Sequence, residues 1–140
     1  MRIDGRPWAG PGLRWGAVAA ALALAACGGS GTTTPTAPTQ TDTFTGTLAA
    51  GGVVAHAFTV AQAGALTVTL TTLSPQSSIT VGLGLGQPSG TSCALSSTDE
   101  TARMGSVEQT TLDAGAWCVA IYDIGNVQGS DSYTLTVSHT

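Results

Sequence analysis

From residue 42 onward apolar and polar residues alternate almost one for one, the period of a strand with one face buried and the other in water. Phe44 and Leu48 alternate with Thr43, Thr45 and Thr47 before Ala49-Ala50-Gly51-Gly52 turns the chain. Val54, His56, Phe58 and Val60 share the next face, which ends at Gln62-Ala63-Gly64. Leu66, Val68 and Leu70 alternate with Thr67, Thr69 and Thr71 as far as Ser74-Pro75. Ile79, Val81, Leu83 and Leu85 alternate with Thr80, Gly82, Gly84 and Gly86; Gln87-Pro88-Ser89-Gly90 reads as a loop leading to a less regular stretch around Cys93. The alternation resumes over residues 107–112, turns at Asp113-Ala114-Gly115 and continues from Ala116 to Tyr122. Tyr133, Leu135 and Val137 against Thr134, Thr136 and Ser138 close it. No helical period appears in this part of the chain. About seven to eight short strands spaced by turns predict an all-β domain over residues 42–140, an antiparallel, jelly-roll-like β-sandwich. Threonine fills most outward positions, as suits a β-branched residue on a pleated surface.

The first 41 residues follow another pattern. Arg2, Arg6 and Arg14 precede an apolar run of 11 residues from Gly16 to Ala26. As a helix that run is about 16 Å long, short of the ~20 residues that cross a bilayer. Residues 1–26 therefore read as a cleaved secretory signal. Its end, Leu24-Ala25-Ala26-Cys27, resembles the lipobox of bacterial lipoproteins. The resemblance implies acylation of the Cys27 thiol, cleavage just before it and attachment to a membrane through lipid (diacylglycerol and palmitate-type chains). Two or more chains on one residue hold firmly where a single chain holds only marginally. An ordinary signal peptide with an unmodified cysteine is the competing reading. No aspartate follows Cys27, which in that family implies the outer membrane of a two-membrane host; otherwise the outer face of the cytoplasmic membrane is expected. Residues 27–41, rich in Gly, Ser, Thr and Pro, carry too little apolar surface to offset their ordering entropy and read as a tether.

Loss of residues 1–26 changes the charge. Three of four basic residues and one of eight acids go with them, leaving Arg103 against seven carboxylates, a net −6. With one cation and no lysine the chain cannot neutralise phosphates, which excludes nucleic acid as a partner. Cysteine usage agrees with export. Once Cys27 is acylated, Cys93 and Cys118 remain, and an isolated pair outside the cytoplasm predicts a disulfide that stabilises the fold by about 3 kcal/mol. Zinc is the rival, but two thiols and two scattered histidines make a poor tetrahedral set.

A second resemblance rests on Phe44-Thr45-Gly46-Thr47-Leu48, Ala57-Phe58-Thr59-Val60, the Leu112-Asp113-Ala114-Gly115-Ala116-Trp117 turn and Ser132-Tyr133-Thr134-Leu135-Thr136-Val137. In this order they resemble the bacterial pre-peptidase C-terminal domain. That implies a jelly-roll-like sandwich that accompanies secreted hydrolases, acts in secretion, adhesion or matrix binding, and is not catalytic. Ser77-Ser78-Ile79-Thr80 replaces the acidic entry to that family's middle strand.

Residues able to carry chemistry are few. His56 lies on the apolar parity of its strand and reads as a core or sheet-edge histidine; His139 is penultimate, where chains usually fray. No strand-turn-helix nucleophile elbow of the G-x-S-x-G kind is present. No cofactor is expected, apart from one candidate calcium set: Asp99 and Glu100 in one loop, with Asp123 and Asp131 flanking another. Trp117 shares parity with Val119 and Ile121 and reads as core, which turns Cys118 and its disulfide toward the outer side of the sheet. Gly82, Gly84 and Gly86 form a bare strip that a ligand or another backbone can approach closely. The expectation is a non-enzymatic envelope lipoprotein with a β-sandwich module for binding protein or polysaccharide, as an accessory to a secreted hydrolase. A structural or stress-related lipoprotein without a ligand is the alternative, and a small hydrolase the third.

Overall fold

The computed structural model describes residues 36–140; the signal segment, Cys27 and most of the tether lie outside the described residues. Eight strands follow in order: β1 (Gln40–Ala49), β2 (Val53–Val60), β3 (Gly64–Ser74), β4 (Val81–Ser89), β5 (Ser92–Ala102), β6 (Val107–Leu112), β7 (Gly115–Tyr122) and β8 (Ser130–His139). They form two antiparallel four-stranded sheets, β1-β8-β3-β6 and β2-β7-β4-β5. The pairs β1/β8, β2/β7, β3/β6 and β4/β5 are those of one long hairpin folded at the β4–β5 turn. Winding it brings β3 against β8 and β4 against β7 and closes two sheets, the jelly-roll arrangement. The first strand starts at Gln40, two residues before the alternation suggests, because Gln40 and Thr41 find partners in His139 and Ser138.

The alternation decides what lies between the sheets. Leu48, Leu66, Val68, Leu70, Tyr133 and Leu135 fill the inner face of the first sheet; Phe58, Val81, Leu83 and Ile121 fill that of the second. Thr43, Thr45 and Thr47 face outward beside Thr136, Thr134 and Ser132, and hydroxyls meet across strands at Thr41–Ser138 (2.9 Å) and Thr71–Thr136 (3.0 Å).

The course of β5 departs from expectation. Gln87, Pro88 and Ser89 continue β4 rather than forming a loop, and the turn is only Gly90-Thr91. Pro88 fits there because β4 has already passed its last β7 partner at Gly86 and needs no donor on that side. The stretch around Cys93 is a strand with two register shifts. One falls between the pairs Leu85↔Ser97 and Gly86↔Leu95, leaving Ser96 as a bulge. Beyond it, the Ala94-Leu95 backbone lies directly over Gly86. In the sheet β5 and β7 are separated by β4, about 9.6 Å apart in a flat ladder, too far for a disulfide. Crossing over Gly86 brings Cys93 to Cys118, with their Cα atoms 5.8 Å apart. The disulfide is present, and it lies on the outer side of its sheet as parity predicts.

The glycine strip is therefore not bare. Tyr122, the cross-strand partner of Gly82, covers that residue with its ring, and Leu95 lies over Gly84, its Cδ1 2.7 Å from where a Cβ would stand. The strip serves the chain's own folding, and no ligand reaches it without displacing these groups.

Candidate binding cleft

The two long sides of the sandwich differ. Along the β1/β2 side, aromatic rings close the gap between the sheets. Phe44 stacks on His56 (4.7 Å between ring centres, 11° between planes), and His56 Nε2 meets the Tyr133 hydroxyl at 2.7 Å. His139 does not fray. It is 1 % exposed, beside the Phe58 ring, with Nε2 3.0 Å from Asp42 Oδ2, because the last strand pairs with β1 to its end. Both histidines are thus committed to the interior. Burial holds the His56 imidazole below its ordinary value, since desolvation disfavours the charged form. The unfolded imidazole titrates near 6.5. Below that pH the unfolded chain binds the extra proton, so the stability this group contributes falls as pH drops and levels off under the native value. A Tm series from about pH 7.5 to about pH 5 is expected to decline in wild type and to flatten in His56→Gln.

Along the β5/β6 side the gap is open. The inward positions of these edge strands carry Ser97, Asp99, Glu108 and Thr110, where the inner strands carry leucine and valine. Short and polar, they leave the core unfilled and create a cleft of about 80 Å³. Its floor is Leu66 and Val68 from one sheet with Leu83, Leu85 and Val119 from the other. That volume admits about three waters, or the apolar stem of one unbranched side chain whose tip stays at the open mouth. Sequence alternation missed the cleft. Val107 carries the apolar signal of its strand yet points outward, 53 % exposed, while Glu108 and Thr110 point in.

Asp99 and Glu108 face each other across the mouth. Asp99 accepts from the Thr101 hydroxyl (2.6 Å) and amide (2.8 Å), which hold its carboxyl below the usual range. Partial burial and the neighbouring Asp99 push Glu108 up. The pair is able to share one proton or to enclose one cation between two carboxylates.

Comparison with protein-family models and with curated proteins found no match for this chain. The site is therefore read from its own geometry.

That geometry separates the four calcium candidates. Asp99 lies in a strand rather than a loop and faces the cleft, while Glu100 falls in the second β5 bulge and faces water. Asp123 stands after β7, by the opposite edge of its sheet, and is filled by four backbone amides. Its Oδ2 accepts from Gly51, and its Oδ1 accepts from Gly125, Asn126 and Val127. They pull its carboxyl down to about 2 and tie the β1–β2 turn to the β7–β8 loop. Asp131 is fully buried in β8, where Oδ1 accepts from the Gln76 amide and Oδ2 meets no partner among the described residues. Four carboxylates in three places do not converge, and among the described residues no group of three or more His, Cys, Asp or Glu is placed to hold a metal. Asp123 acts on stability instead. Its contribution is complete above the unfolded value near 3.8 and is lost as pH falls toward 2, so Asp123→Ala is expected to lower Tm at neutral pH and to abolish the loss across that acid window. Trp117 packs partly against the core, and its Nε1 donates to the Asp113 carbonyl at 2.9 Å, which ties the ring to the turn before its own strand.

Proposed function

We propose that this chain is a non-enzymatic lipoprotein of the bacterial cell envelope, held to the membrane through acylated Cys27, whose β-sandwich binds a partner at the β5/β6 cleft. The cleft carries the reading. It is the one side of the sandwich where edge strands give up apolar inward residues and put carboxylates over an apolar floor. The non-enzymatic reading is supported by where the thiols and imidazoles stand. Cys93 and Cys118 are joined in the disulfide, and His56 and His139 are bonded inside the sandwich, so none of these four lines the cleft. The likeness of the turn and closing strand to pre-peptidase C-terminal domains supports an adhesive role beside a secreted hydrolase.

Two measurements test the proposal. Intact mass of the membrane-extracted protein is expected to show loss of residues 1–26, the added mass of acyl chains on Cys27 and two fewer hydrogens at Cys93 and Cys118. Capture of an envelope partner by the full chain is expected to be lost in Thr110→Trp, which fills the cleft from its rim. Retention of residues 1–26, or capture unaffected by the tryptophan, overturns the corresponding half of the reading.

A further inference from the structure

We propose that the cleft receives a lysine or arginine side chain carried on an extended polypeptide segment, which adds to the sheet along the free edge of β6. The inference rests on the cleft being the binding site. Three observations of different kinds lead to it.

The first is the state of the edge. β6 is hydrogen-bonded only to β3, over six residues in unbroken register, and its other side is open. Proteins usually blunt such edges with a bulge, a proline or a lysine, because an open ladder pairs readily with another chain. β6 has no bulge, proline or lysine, and its one protecting feature, the inward charge of Glu108, is the group a cationic side chain neutralises; β5, which faces it in the other sheet, carries two bulges. Strand addition is therefore favoured at β6.

The second is periodicity. In a strand laid beside β6, alternate side chains point to the same face as Glu108 and Thr110, into the space between the sheets. One such side chain enters the cleft while its neighbours stay outside.

The third is chemistry. The floor is aliphatic and the mouth holds two carboxylates, the complement of a side chain with an apolar stem and a cationic tip. Among the described residues no basic side chain lines the cleft, so the pair has no cation there. The titratable groups facing the mouth are Asp99 from β5 and Glu108 from β6; β3, β4 and β7 contribute none. At acid pH a shared proton relieves the repulsion between them and competes with an incoming ammonium or guanidinium. Binding is therefore stronger at neutral than at acid pH.

The test uses the full chain and capped heptapeptides of alternating valine and threonine with lysine, arginine, norleucine or glutamate at the centre, titrated by calorimetry at pH 7 and pH 4.5. Lysine and arginine peptides are expected to bind about tenfold tighter than norleucine at pH 7, with the glutamate peptide weakest. The double variant Asp99→Asn/Glu108→Gln is expected to lose that preference, and Glu108→Gln alone, which removes the like charge and leaves the Thr101 bonds to Asp99 in place, is expected to weaken it without a fall in Tm. N-methylation of the backbone groups that pair with β6 is expected to abolish binding. Equal affinity for lysine and norleucine, a preference that survives in the double variant, indifference to N-methylation, or no binding by any peptide overturns the inference. If the peptides fail while Thr110→Trp still releases an envelope partner, the cleft remains the binding site and strand addition falls; if the tryptophan is also silent, both fall.

Discussion

Gly86→Val is expected to lower stability by about 3 kcal/mol, the upper part of the range for overpacking, read as a fall of about 15 °C in Tm. The cost arises from what lies above the residue. A Cβ at Gly86 runs into the Ala94 carbonyl and reaches within 2.8 Å of Leu95 Cα, and these are backbone atoms that cannot rotate away. Relief requires lifting the start of β5 off β4, and the disulfide to Cys118 resists that movement. Gly84→Ala is the control. Its Cβ meets only the tip of the Leu95 side chain, which has other rotamers, so a fall of a few degrees at most is expected. Thermal melts of the two variants check the comparison, and equal losses sink the explanation.

Removal of the disulfide by Cys93→Ser/Cys118→Ser is expected to cost 2–5 kcal/mol in a domain of this kind, with about 3 kcal/mol from closure of a loop with sequence separation 25. The structure adds a local consequence. Without the link nothing covalent holds the Ala94-Leu95 backbone over Gly86, and the β4–β5 tip is expected to exchange its amide hydrogens faster than the rest of the sheet. The two substitutions therefore do not add. In the serine background Gly86→Val is expected to lose much less stability than in the disulfide-bonded protein, because β5 is then free to move aside. Denaturant titration of the four proteins measures the coupling. Strict additivity would show that the strand crossing and the disulfide are independent, contrary to the geometry.

Strand identity outside β5 and the end of β4, the face each inner strand turns inward and the outer position of the disulfide follow from the sequence alone. Where Leu66, Val68 and Leu70 or Tyr133, Leu135 and Val137 alternate with threonine, hydrophobic burial admits only one orientation, because a slip of one residue exposes the whole set. The same rule made Cys118 face away from Val119 and Ile121. It gave no such guidance at the two edge strands. β5 and β6 carry few apolar residues, so burial does not select their parity, and bulges in β5 reset it along the way. Val107 therefore sits outside and Glu108 inside, opposite to what its side-chain type suggests.

Position in the chain misled in the same manner for His139 and the glycines. A penultimate residue frays unless its strand has a partner, and β1 supplies one through Gln40. Alternating glycines look like open surface until the register of neighbouring strands lays Tyr122 and Leu95 over two of them and a backbone over the third. Alternation reports which side of a strand is buried. Which strand stands beside it, and which backbone crosses it, depends on pairings between residues distant along the chain, and those are decided only when the long hairpin winds into two sheets and leaves one side open.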